Sequence, residues 1–111
     1  MNITLKKTLD VTPALEVYIE EKLSSISKFV EPFDREGSVE LYVEVSRTTN
    51  HHRKGEEIFM AVADLRLPGK ILRGEASASD IHKAIDDVRD ILHMEIKKYK
   101  TKHSNLPRRE K

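Results

Sequence analysis

The sequence predicts an α+β domain in the order β-α-β-β-β-α, a four-stranded sheet with two helices packed on one face. Three observations carry the prediction. Two segments repeat apolar residues at helical spacing, one segment alternates strictly between apolar and polar residues, and 111 residues of which 38% are hydrophobic suit a single two-layer core. No internal repeat or second domain is visible.

Residues 2–8 open with a short strand, Ile3 and Leu5 facing one way and Asn2, Thr4 and Lys6 the other. Thr12 followed by Pro13 marks a helix start, because Thr caps the first free N–H groups and Pro fits the first helical position. Leu15, Ile19, Leu23, Ile26 and Val30 then follow as one helical stripe, which Pro32 and Gly37 end. Over residues 38–46, Val39, Leu41, Val43 and Val45 face one side and Glu40, Tyr42 and Glu44 the other, the pattern of a half-buried strand. A polar loop is predicted over 47–57 and a third strand over 58–66. Leu67-Pro68-Gly69-Lys70 suits a type II turn, and 71–77 supplies the fourth strand. Ser79 and Asp80 open a long helix whose stripe is Ile81, Ala84, Ile85, Val88, Leu92, Ile96 and Tyr99. The domain is thus expected to span residues 1–103, with a loose basic tail over 104–111.

Composition excludes several kinds of chemistry. There is no cysteine, so disulfides and thiolate catalysis are out, and a reducing cytoplasm fits. The opening residues lack the apolar run of a signal peptide, and no stretch approaches the roughly 20 apolar residues of a membrane span. His51-His52 sits in a polar loop without a fixed carboxylate or thiolate, a poor metal site. Gly69-Lys70 lacks the upstream glycine of a phosphate loop. Asp86-Asp87 and Glu56-Glu57 are adjacent in sequence and so point apart, which makes neither an acid/base pair. The expectation is no catalytic residue, no metal, no cofactor and no small-molecule substrate.

Net charge is only +1, yet its distribution is uneven. Residues 1–45 carry net −4, 46–74 net +3, 75–96 net −4 and 97–111 net +6. On the last helix, Lys97 and Lys100 share a flank with His82, Asp86, Arg89 and His93, while Lys98 and Lys102 border the other side of the stripe. Lys22 borders the first helix's stripe, beside Tyr18 and Phe29. Cations beside a packed helix pair could grip phosphates from a rigid base, all of them meeting one concave RNA surface. Lysines near a helix C-terminus also simply favour the helix dipole, and charge runs are usually just solvated. Tyr42, on the open sheet face, could stack a base or serve only as a good strand residue.

The helix Ala84-Ile85-Asp86 with Ile96-Lys97-Lys98-Tyr99-Lys100-Thr101-Lys102 resembles the signature of the ribosome hibernation-promoting factors, a family that includes ribosome-associated translation inhibitors and was once described as sigma-54 modulation proteins. His51-His52-Arg53-Lys54-Gly55-Glu56 with Leu67-Pro68-Gly69-Lys70, and the first helix from Leu15 to Phe29, resemble the same family in the same order. The resemblance implies a fold similar to double-stranded RNA-binding domains. It also implies docking on the small ribosomal subunit and its ribosomal RNA, so that the mRNA and tRNA sites are occluded and an idle ribosome is kept from translating. Lys22, Lys28, Asp86, Lys98, Lys100 and Lys102 match positions that are typically the same in such proteins; together with Arg53, Lys54, His82, Arg89 and Lys97 they are the expected RNA-binding residues. His82 stands where the family often has Tyr, and Ser25, Ile91 and Met94 where a basic residue is frequent. With its end soon after the last helix, the chain resembles the short form, a cytoplasmic protein expected to be monomeric off the ribosome. A general duplex-RNA-binding module, a small α/β enzyme and an adaptor using Glu40, Tyr42 and Glu44 are the rival readings of the residues.

Overall fold

The sheet runs in the order β1-β2-β3-β4, formed by β1 (Asn2–Lys7), β2 (Glu40–Asn50), β3 (Glu56–Leu67) and β4 (Lys70–Ala78). A computed structural model describes residues 1–7, 11–34, 37–50 and 56–103. β1 pairs in parallel with β2, from Asn2 opposite Glu40 to Lys7 opposite Val45, and the other neighbours are antiparallel. A parallel pair needs a crossover. Here it is helical: α1 (Pro13–Ser24), α2 (Ser27–Val30) and a 3-10 turn (Glu31–Phe33). The long helix α3 (Ile81–His103) follows β4.

The helix starts form as their sequences require. Thr12 Oγ1 accepts from the N–H of Leu15 at 3.1 Å, with Pro13 in the first helical turn. Asp80 Oδ1 accepts from the N–H of His82 at 3.0 Å to open α3. The first apolar stripe, expected as one helix, is instead broken after Ser24. There Ser24 Oγ donates to the carbonyl of Glu21 at 3.2 Å and Ser25 Oγ to that of Lys22 at 2.6 Å. Such back-bonding competes with helix propagation. Ile26 and Val30 are nevertheless fully buried, so the stripe survives the break.

The predicted loop over 47–57 is also corrected. β2 continues to Asn50 and β3 starts at Glu56, with Thr48 opposite Ile58 and Asn50 opposite Glu56. A backbone ladder needs no apolar face, so polar composition hid the extension. The turn at Pro68-Gly69 has Gly69 at φ +75°, the left-handed value that the third residue of a type II turn requires.

One core holds the layers together. Val39, Leu41, Val43, Val45, Ala61, Ala63, Leu65 and Leu67 from the sheet side meet Ile19, Leu23, Ile85, Val88, Leu92 and Ile96 from the helices, all buried. Glu44, Tyr42 and Ile71 lie exposed on the other face. α3 presses on β4 at Gly74, where a Cβ would lie 3.3 Å from Val88 Cγ2, Ile91 Cγ2 and the Val88 carbonyl. A side chain here would make the helix give by a few tenths of an ångström, so glycine suits this close approach. Asp34 joins the starts of β1 and β2, accepting from the Met1 ammonium at 2.5 Å and from the Val39 N–H at 2.9 Å. Those bonds hold its carboxyl below the usual range.

Candidate nucleic-acid interface

Four side-chain pairs cross the seam between the first helical segment and α3, each joining residues 64 positions apart. They are Tyr18 with His82, Lys22 with Asp86, Ser25 with Arg89 and Phe29 with His93. A constant offset means that the two segments run parallel and in fixed register. The rungs advance by four, three and four residues, the step that keeps a helix pair in contact. The apolar stripe underneath is buried, so the polar rungs form its solvent-facing rim.

Each rung has a defined geometry. The rings of Tyr18 and His82 meet edge to face with centroids 4.6 Å apart, and Phe29 stacks on His93 at 4.1 Å. Tyr18 Oη donates to Asp86 Oδ1 at 2.5 Å, and Lys22 Nζ lies 3.5 Å from the same oxygen. The bond to Asp86, then burial, raises the Tyr18 phenol from 10 to about 12. Lys22 Nζ also lies 5.6 Å from the Tyr18 ring centroid, and Lys28 Nζ 5.4 Å from that of Phe29. Arg89 Nε donates to Ser25 Oγ at 3.2 Å, while its Nη1 contacts Asp90 at 3.1 Å. Tyr18, Glu21, Lys22, Ser25 and Arg89 line an open groove of about 420 Å³. Asp86 thus holds one phenol and one ammonium, both of which line the groove.

The predicted cations do not share one surface. Lys22, Lys28, His82, Asp86 and Arg89 gather at the seam. Lys98 and Lys102 stand on the other flank of α3, where they line a second groove of about 200 Å³ with Lys70, Leu72, Glu95 and Tyr99. The two groups thus lie on opposite flanks of α3, as the helical wheel predicts. Lys97 and Lys102 are exposed and Lys100 is half-buried. Arg53 and Lys54, with His51 and His52, lie outside the described residues, as does the tail.

The open sheet face is already occupied by its own pairs. Arg66 stacks over the Tyr42 ring at 4.8 Å, Tyr42 Oη donates to Glu40 at 2.7 Å, and Arg73 Nη1 donates to both Asp64 oxygens at 3.0 and 3.2 Å. Among the described residues no group of three or more His, Asp or Glu side chains is arranged to hold a metal ion, and no helix is long and apolar enough to cross a membrane.

Ile91, at a position where a cation would add charge, packs against Gly74, whereas Met94 is 57% exposed. The pairing of Ser25 with Arg89 and the placing of Lys70 beside Lys98 escaped sequence reasoning. The helix wheel ranks residues by face but says nothing of which partner segment lies alongside, or in which direction.

The model of the sigma 54 modulation protein / S30EA ribosomal protein family matches residues 1–104. A ribosome hibernation promotion factor of Deinococcus radiodurans is 31% identical over 97 residues, 87% of this chain and 47% of that protein. One of Lactococcus lactis is 31% identical over 104 residues, covering 92% of this chain and 50% of its own length. The chain therefore spans about half the length of these two relatives. A ribosome hibernation promoting factor of Acinetobacter guillouiae is 29% identical over 102 residues and is covered to 88%. Among solved structures, the N-terminal domain of Thermus thermophilus Protein Y superposes with a TM-score of 0.68 at 27% identity, over 89% of this chain and 99% of that one. A ribosomal subunit interface protein of Coxiella burnetii shares the fold, with a TM-score of 0.61 at 21% identity over 91% of this chain and 99% of its own.

Proposed function

The chain belongs to the sigma 54 modulation protein / S30EA ribosomal protein family, and from that membership we propose that it is a ribosome hibernation factor that docks on the small subunit and blocks the mRNA and tRNA sites. The observation that carries the structural side of this reading is the fixed register of the α1–α3 seam. Lys22, Lys28 and Arg89 are held by rings, a hydroxyl and a carboxylate, so less side-chain entropy is lost when phosphate is met.

Inhibition in this reading is steric, with no bond made or broken, and the partner is ribosomal RNA. In this reading Lys97 and Lys100 add charge along the last turns of α3, Lys98 and Lys102 add it on the helix's other flank, and Arg53 and Lys54 are further RNA contacts. His82 offers a ring beside Tyr18. Each phosphate neutralised releases condensed counterions, so affinity falls by roughly 0.7–0.9 log units per contact for each log unit of salt. The acidic side chains Glu40, Glu44 and Asp64 lie on the far sheet face, where they least oppose binding.

The test is sedimentation of the purified protein with whole ribosomes and with separated subunits across a salt series, then addition of mRNA with initiator tRNA. Salt-sensitive binding to the small subunit, relieved by mRNA and tRNA, is the expected result. A general duplex-RNA module would be displaced by any long duplex and be indifferent to tRNA. Binding outside the decoding channel, with tRNA binding undisturbed, would remove the occlusion mechanism.

A further inference from the structure

We propose that the groove between the β3–β4 turn and the end of α3 is a second phosphate-binding site, with Lys70 as its added cation, so that α3 stands as a ridge between two segments of RNA backbone. The inference rests on the ribosome-binding reading and adds to its Lys98 and Lys102 a cation from another element, Lys70, that the reading does not contain.

The placement follows from strand periodicity. Side chains two apart on β4 share a face, so Lys70 points to the same side as buried Leu72 and Gly74, towards α3 rather than the open sheet face. The core ends at Leu72, which is 4% exposed, and Lys70 itself is exposed. Lys98 and Lys102 are four residues apart on α3 and face the same groove. Three ammonium groups and one carboxylate, Glu95, therefore line it. Lys98 Nζ lies 3.5 Å from Glu95, a surface pair with Lys98 at 69% exposure, so a phosphate can displace it at little cost.

The floor sharpens the site. Leu72 and Tyr99, both nearly buried, form its apolar floor, a surface that suits lysine stems whose charged ends stay in water. An apolar floor lowers the local dielectric and strengthens attraction for an anion above it. The seam groove and this one lie on opposite flanks of a helix roughly 10–12 Å across. One flat anionic surface does not meet both flanks, whereas two backbone segments of a folded RNA do. A structural role for these lysines, satisfying the end of the helix dipole, would need Lys98 and Lys102 but not Lys70, which is on a different element.

The experiment compares the wild type with Lys70→Ala, Lys70→Arg, Lys22→Ala and the double variant Lys22→Ala/Lys70→Ala in small-subunit binding over a salt series. Thermal unfolding checks the fold. Lys70→Ala is expected to weaken binding and flatten the log–log salt slope by roughly 0.7–0.9. Lys70→Arg should restore both, and in the double variant the fold-losses should multiply. In parallel, acetylation of lysines in the free and bound wild type reads protection at each site by mass spectrometry, which needs no mutant. Protection of Lys70 on binding supports the site. If Lys22→Ala weakens binding while Lys70→Ala does not, and Lys70 stays reactive in the complex, the second site is wrong and the functional reading stands. If the wild type shows no salt-sensitive binding to the subunit, both fall.

Discussion

Replacing Tyr18 by Phe removes one hydroxyl and tests the central rung of the seam. The phenol donates to Asp86 at 2.5 Å, and its pKa is raised from 10 to about 12. Taken at face value that rise corresponds to about 2.7 kcal/mol. Asp86 keeps 43% of its side chain in water, however, so screening reduces the contribution to about 1–1.5 kcal/mol. The direction in pH follows from the same shift. A phenol whose folded pKa lies above its unfolded value stabilises the fold fully below pH 10, and the contribution is lost as pH rises from about 10 through about 12. Urea denaturation of wild type and Tyr18→Phe should therefore differ by about 1 kcal/mol at pH 7, and the difference should close over that alkaline window. Comparing the two proteins cancels the alkaline titration of Tyr42, whose phenol is also raised by its bond to Glu40. A double-mutant cycle with Asp86→Asn isolates the pair. Equal stability of wild type and Tyr18→Phe at pH 7, with parallel alkaline limbs, would refute the rung as an energetic link.

Ile85→Asp should abolish folding, because Ile85 is fully buried and an unpaired buried carboxylate costs several kcal/mol of a total near ~5–15; a cooperative unfolding transition at 25 °C by circular dichroism would count against the packing. Gly74→Ala should cost about 1–2 kcal/mol, since its Cβ meets the Val88 backbone carbonyl as well as two core methyls at 3.3 Å, and should lower the melting midpoint by roughly 4–8 °C. An unchanged midpoint would show that α3 can lift from β4 without loss.

Much of the domain was legible because period and composition act locally. Val39, Leu41, Val43 and Val45 alternate, and a strand alternating this way has one face to bury; all four are buried. Ala84, Ile85, Val88, Leu92, Ile96 and Tyr99 recur at helical spacing, and all six are buried in α3. Thr12 and Asp80 cap because a side-chain oxygen beside a free N–H needs no distant partner. Where the pattern is polar, the sequence was silent: the ladder from Thr48 opposite Ile58 to Asn50 opposite Glu56 is a backbone matter. The break after Ser24 depended on two hydroxyls choosing carbonyls three residues back.

The site divides in the same way. Which residues are cationic, and on which flank of its helix each one lies, can be read from the chain, because 100° per residue is a property of the helix alone. What each cation faces is set by packing between elements. The parallel crossover laid the first helical segment along α3 at a constant offset of 64 residues, which brought Lys22 to Asp86 and Arg89 to Ser25. The β3–β4 turn carried Lys70 to Lys98 and Lys102 on the opposite flank. Contacts between residues so far apart in the chain are set by how the layers pack, and the pattern along any one element does not contain them.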